Sequence, residues 1–235
     1  MTAVRATFSC VLLILAFSQY KAGAQELVAA NNALGTTGGQ KFDQVMGLDG
    51  ALKVMSDSIN FIFGALYSDG SVPKPTRSKI SFYVDDQPGA GVVAFTTGQG
   101  DQSEIHLSEA YVGSYQGDVA QEITGVLYHE MTHVWQWNGQ GQAPSGLIEG
   151  YADYIRLTAG FAPSNWGKPG EGNRWDQGYD VTAYFLQYCE GLKSGFVAAL
   201  NAKLASGWSE DLFNQLLGQS VQQLWTSYKQ KFGSS

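Results

Sequence analysis

The chain has 235 residues, 44% of them hydrophobic and 15% charged, with a net charge of −7 at neutral pH. That composition supports one globular unit with a sizeable core and excludes a long disordered chain. The acidic balance gives no general reason to bind nucleic acid or anionic membranes, and beyond the N-terminus no apolar run is long enough to cross a bilayer.

The N-terminus reads as a secretory leader. Arg5 supplies its positive charge, residues 6–17 its apolar stretch, and Ala22-Gly23-Ala24 its cleavage site. Cleavage there makes residues 1–24 the signal peptide. The loss of Arg5 and Lys21 then moves the net charge from −7 to −9. Cys10 leaves with the leader, so Cys189 stands alone and no internal disulfide can form. Cys189 ends the apolar helical run Tyr184-Phe-Leu-Gln-Tyr-Cys189 and reads as a buried thiol.

Residues 25–41 are polar and Gly-rich, with a short strand at 27–30. Apolar residues at helical spacing then predict a helix over 49–67 with a shorter one before it. Pro73 and Pro75 mark a loop. Strands follow at 79–84, 92–97 and 104–108, a strand-turn-strand-turn-strand run that builds a small sheet ahead of a helix. The last strand carries His106, read as a hydrogen-bonded strand histidine, and is expected to lie at the edge of a cleft.

Residues 119–138 are the next helix, and Tyr128-His-Glu-Met-Thr-His-Val-Trp-Gln-Trp137 within it contains H-E-x-x-H. Residues i and i+4 of a helix stand nearly one above the other. His129 and His133 therefore present both imidazoles to one metal ion, and Glu130 reaches a water beside it. That is the arrangement of a zinc metallopeptidase helix, with two ligands and a general base. Trp135 and Trp137 read as core or packing residues.

A zinc site of this kind needs a third protein ligand. Gly139 occupies the place where the long metzincin form of the motif has a third His, so the ligand is sought on the following helix, which starts near Pro144-Ser145 and runs through Arg156. Glu149 and Asp153 share one face of that helix. Glu149 is the expected ligand, and Asp153 the acceptor for the free N–H of a liganded His; Asp153 as the ligand stays open, as does a solvated acidic face paired with Arg156. Gly150 is expected to let this helix approach the motif helix closely.

Residues 160–178 form a Trp/Gly/Pro-rich loop, and helices follow at 179–192, 194–206, 209–217 and 220–232. Hydrolysis of a peptide bond needs a second electrophile for the developing oxyanion. Tyr179, directly after the loop, is the candidate donor, with Tyr151 and Tyr128 as alternatives.

These residues resemble the plant basic secretory protein family, secreted pathogenesis-related proteins with a zinc-peptidase signature. The resemblance is carried by Asn31-Asn-Ala-Leu34, Ser81-Phe-Tyr-Val-Asp-Asp86, Glu104-Ile-His-Leu-Ser108, the block 122–138 through the metal motif, Gly146-Leu-Ile-Glu-Gly150, the block 174–183 and Gln223-Leu-Trp225. It implies an α+β, zincin-like fold: a small β-sheet packed on an active-site helix, with a helical C-terminal lobe. Residues 25–235 then form a single zincin-like domain, its sheet-containing lobe at about 25–138 and its helical lobe at about 139–235. It also implies secretion to the plant cell-wall space and a part in defence or stress. The chain departs from the family name in being acidic.

The expectation is a secreted, monomeric zinc metallopeptidase that cleaves peptide or protein substrates. One Zn2+ is held by His129, His133 and Glu149, Glu130 acts as general base on the zinc-bound water, and Tyr179 as donor. The alternative is a non-catalytic zincin-like defence protein that binds a microbial or cell-wall component. Glu130 favours the enzyme, because a site that only binds has no use for a general base.

Overall fold

The computed structural model describes residues 16–22, 24–68, 70 and 72–233. Residues 1–15, the charged start and most of the apolar stretch of the predicted leader, lie outside the described residues. The architecture is α+β, with a five-stranded mixed sheet and nine helices among the described residues.

The strands are β1 (Ala16–Ala22), β2 (Gln25–Asn31), β3 (Lys79–Asp85), β4 (Ala94–Gln99) and β5 (Gln102–Ser108), ordered β1-β2-β3-β5-β4. β2, β3 and β5 run parallel, while β1 and β4 pair antiparallel at the two edges. The sequence places a strand at 104–108 on the cleft edge; instead β5 lies inside the sheet and β4 takes the edge. Gly100-Asp101 forms a tight turn that makes β4 and β5 neighbours. Burial decides which of the two meets β3. Ile105 and Leu107 of β5 are fully buried, whereas Thr97, Gly98 and Gln99 of β4 are exposed.

β1 falls within the segment read as leader and forms a hairpin with β2, in a register that pairs Ser18 with Ala29. Ser18 Oγ donates to Asp49 Oδ1 at 2.7 Å.

Strand side chains alternate between faces. Leu27 and Ala29, Ile80, Phe82 and Val84, and Ile105 and Leu107 form one fully buried apolar face. Against it lie α1 (Thr37–Val45), α2 (Gly47–Leu66) and α4 (Val119–Trp135), with Phe42 of α1 5.9 Å from the ring of Phe82. The short α3 (Glu109–Ser114), which the sequence pattern does not reveal, follows β5 directly. On the opposite face His106 is buried between the rings of Tyr83 and Phe95, and its Nδ1 lies 2.9 Å from Asp85 Oδ2. The expectation of a hydrogen-bonded strand histidine holds.

The remaining helices are α5 (Ser145–Thr158), α6 (Tyr179–Leu192), α7 (Phe196–Leu204), α8 (Asp211–Leu217) and α9 (Val221–Phe232). Phe185, Phe213, Trp225 and Tyr228 form an aromatic cluster among α6, α8 and α9. A Cβ on Gly150 of α5 would sit 2.3 Å from Thr182 Cγ2 of α6. The glycine therefore brings α5 against α6, and the close approach to the motif helix expected from it is corrected. Cys189 is fully buried, and burial raises its pKa, as an inert thiol requires. The loop between α5 and α6 is tied down by α9: Tyr228 Oη accepts from Gly170 N–H at 2.7 Å, and Lys229 donates to the carbonyls of Gly170 and Gly172.

Candidate metal centre and active-site cleft

The site is built on α4. Asp118 caps its start, accepting from Gln121 N–H at 3.0 Å, and Tyr67, the residue that follows α2, donates its hydroxyl to the Trp135 carbonyl at its end. The helix is buried on nearly every side. A buried helix is expected to be apolar all round, and each polar group it buries needs a partner. His129 and Glu130 are buried all the same, so their partners define what the site is for.

His129 Nε2 and His133 Nε2 are 3.0 Å apart, and Glu149 Oε2 on α5 lies 3.2 Å from the first and 3.6 Å from the second. A tetrahedral ion with bonds of about 2.0–2.1 Å spaces its ligand atoms about 3.3 Å apart. The observed triangle brackets that spacing. The other imidazole nitrogens are also engaged. His129 Nδ1 lies 2.6 Å from Asp153 Oδ1, and His133 Nδ1 lies 2.8 Å from the Gln136 carboxamide. Asp153 thus backs a histidine and does not itself join the ligand triangle.

Gln136 provides a second test of fit. Its Oε1 is buried without a hydrogen-bond partner among the described residues. An imidazole that ligates through Nε2 carries its proton on Nδ1 and needs an acceptor there. A half-turn of the Gln136 carboxamide brings Oε1 to that proton and gives up the 3.3 Å bond that its Nε2 donates to the Ile148 carbonyl. His129, His133 and Glu149 fit a zinc ion in spacing and donor type, and Asp153 gives His129 the acceptor that a ligand imidazole needs.

The electrostatics agree. Burial disfavours a charged His129, yet Asp153 and Glu149 outweigh it and raise its pKa to about 10. Burial likewise opposes ionisation of Glu149, but His129 and His133 hold it well below the usual carboxylate range. The acids converge on a place that favours positive charge.

Glu130 is 5% exposed, and its Oε2 accepts from Thr96 Oγ1 of β4 at 2.7 Å. Tyr179 stacks on His129, ring centroids 6.2 Å apart and planes 13° from parallel, and is 58% exposed. Its φ of +47° follows Gly178 at +101°, so a non-glycine residue sits in the left-handed region where the loop enters α6. Tyr128 and Tyr151 do not reach this place. Tyr128 lies among Phe61 and Phe161, and Tyr151 donates to the Val197 carbonyl in the core. Arg156 pairs with Glu122 at 2.8 Å, so the acids of α5 are not the partners that the solvated-face alternative gave it.

These groups line one cleft of about 1240 Å³, which runs from Arg77 past Ala94 and Thr96 to Asn165 and Trp166. Six carboxylates line it against two arginines, giving it an acidic field. Along its rim, Ser108 N–H donates to Val93 O at 2.9 Å, in the same register that pairs Ala94 with Leu107. Antiparallel pairs alternate between bonded and unbonded. The backbone groups of Ala94, Thr96 and Gly98 therefore point away from β5, along the open edge.

The chain matches a family model, BSP, described as a peptidase of plants and bacteria, over residues 23–228. The chain belongs to that family. The BSP match begins just after β1. Over 59 residues the chain is 42% identical to a basic secretory protease of Boswellia serrata, covering 25% of this chain and 67% of that protein. A solved aminopeptidase N family protein of Idiomarina loihiensis overlaps 88% of the chain at 11% identity and a TM-score of 0.49, and the chain spans 44% of that protein's length.

Gln136 and Thr96 were not read as site residues from the sequence, and Trp166 was read only as part of the loop 160–178. Gln136 stands three positions after His133, on the same face of the helix, and that spacing is a usable signal. Thr96 and Trp166 reach the cleft only through folding.

Proposed function

We propose that this BSP-family chain is a secreted, zinc-dependent metallopeptidase with a zincin-like fold. The triangle of His129, His133 and Glu149, with its 3.0–3.6 Å separations, carries the reading. His129, His133 and Glu149 would hold a zinc ion there, which would supply Lewis acidity to activate a water and polarise a carbonyl oxygen.

The chain's own groups do the rest. Glu130 takes a proton from the attacking water and delivers it to the departing amine as the C–N bond breaks. Tyr179 Oη donates to the carbonyl oxygen as it gains charge. The outward backbone of Ala94, Thr96 and Gly98 pairs with an extended peptide and lays its scissile bond across Glu130. Asp153 and Gln136 hold the imidazoles in the binding orientation. Secretion follows from the leader reading, and removal of residues 1–24 takes β1 away and makes β2 the second sheet edge. A defence or stress role follows from the family resemblance.

The deciding experiment is elemental analysis of the purified protein together with cleavage of a peptide library. One zinc per wild-type chain, absent from His133→Ala and Glu149→Ala, with turnover abolished in Glu130→Ala, supports the reading. A zinc-loaded protein in which Glu130→Ala changes nothing leaves a binding protein instead.

A further inference from the structure

The general base of a hydrolase has to be aimed as well as present, and in this fold one residue outside the motif helix does the aiming. Thr96 is the third residue of β4, and its side chain projects under the sheet toward α4. Its Oγ1 lies 2.7 Å from Glu130 Oε2 and 3.1 Å from the Glu130 carbonyl oxygen. The hydroxyl has one proton and two lone pairs. It donates that proton to the carboxylate, the shorter contact and the stronger, charge-assisted acceptor. One carboxylate oxygen is thereby held and the other is left to handle protons in the cleft.

We propose that Thr96 is the positioning residue for Glu130, tying the base to the strand along which substrate lies. The inference rests on the peptidase reading of the site and adds to it a residue 34 positions away in sequence. The same residue has its backbone N–H and C=O on the open edge, so the strand that receives the peptide is the strand that aims the base. A buried carboxylate deprived of its donor swings between rotamers and loses the near-attack geometry that proton transfer requires.

The experiment uses full-length zinc-loaded protein as wild type, Thr96→Val, Thr96→Ser, Glu130→Ala and the Thr96→Val/Glu130→Ala double variant. Turnover of a cleaved peptide, zinc content and denaturant unfolding are read for each. Thr96→Val keeps the shape and removes the donor. Its kcat is expected to fall about 10- to 100-fold, with KM and zinc content unchanged, and Thr96→Ser is expected to restore kcat. In unfolding, Thr96→Val destabilises the wild type more than it destabilises Glu130→Ala, where the hydroxyl keeps only the backbone carbonyl of residue 130 at 3.1 Å. Additive unfolding effects show that the two residues do not interact and overturn the proposal whatever the activity. Coupled unfolding with an unchanged kcat, in a protein whose turnover depends on Glu130, overturns it as well. Absence of any Glu130-dependent turnover removes the peptidase reading, and with it the base to be positioned.

Discussion

Asp153 Oδ1 lies 2.6 Å from Nδ1 of His129, and this contact turns the opposite nitrogen of the ring toward His133 and Glu149. The carboxylate fixes both the ring orientation and the tautomer. Asp153→Ala is expected to weaken zinc binding about 10- to 100-fold while the protein stays folded. Competition against a chromophoric chelator, with circular dichroism alongside, checks it. Unchanged affinity would mean that the contact does not orient a ligand.

Glu130 and Glu149 separate cleanly by substitution. Glu130→Gln should lower kcat by roughly 10²- to 10⁴-fold, the contribution of a general base, and keep its zinc. Glu149→Gln should lose zinc first and activity as a consequence. Zinc stoichiometry measured beside turnover distinguishes them.

The donor role proposed for Tyr179 falls on a residue whose backbone conformation disfavours side chains. Tyr179→Phe is expected to reduce kcat about 10²- to 10³-fold with little change in KM. Tyr179→Gly removes the donor and relieves the left-handed residue at φ +47°. Relief of about 1 kcal/mol should raise the melting temperature by about 2–4 °C in a protein with depressed turnover. Calorimetry on both variants tests it, and a lower melting temperature for the glycine variant would remove strain from the account.

Gly150→Val should be among the most damaging single changes outside the proposed metal ligands. Its Cβ would meet Thr182 Cβ at 2.4 Å, so α5 and α6 must part. Overpacking costs about 1–3 kcal/mol, and the same shift carries Glu149 and Asp153 off their histidines. Stability and zinc affinity are expected to fall together.

Alkaline pH offers a test of the core. Burial raises the pKa of Tyr67, Tyr154 and Tyr228 to about 12, against about 10 in an unfolded chain. The folded form therefore holds these protons more tightly. Their contribution to stability is intact below pH 10 and is lost as pH rises from 10 toward 12. Absorbance at the tyrosinate band should rise in one cooperative step coincident with loss of near-UV dichroism, after an earlier phase from exposed rings.

Much of this was legible because it depends on short-range spacing. H-E-x-x-H on one helix and Glu149 with Asp153 one turn apart on the next are set by helical periodicity, and the structure brings both sets together. β2, β3, β4 and β5 lie within a few residues of their predicted bounds, whereas β1 falls in the segment read as leader. What escaped is decided at long range. The order β3-β5-β4 depends on which strand buries more, not on where turns fall. Thr96 and Glu130 meet across a strand-helix contact that no local pattern encodes, and Gly150 faces α6 because tertiary packing chose between two possible neighbours.

Cys189 is fully buried and, within residues 24–233, is the one cysteine. A thiol-specific reagent can reach it only when the aromatic core around α6 opens. With the leader removed, the rate of labelling becomes a single-site clock for that opening, read without any engineered probe. Run with and without added zinc, the clock reports how firmly an ion between α4 and α5 latches the C-terminal helices to the sheet.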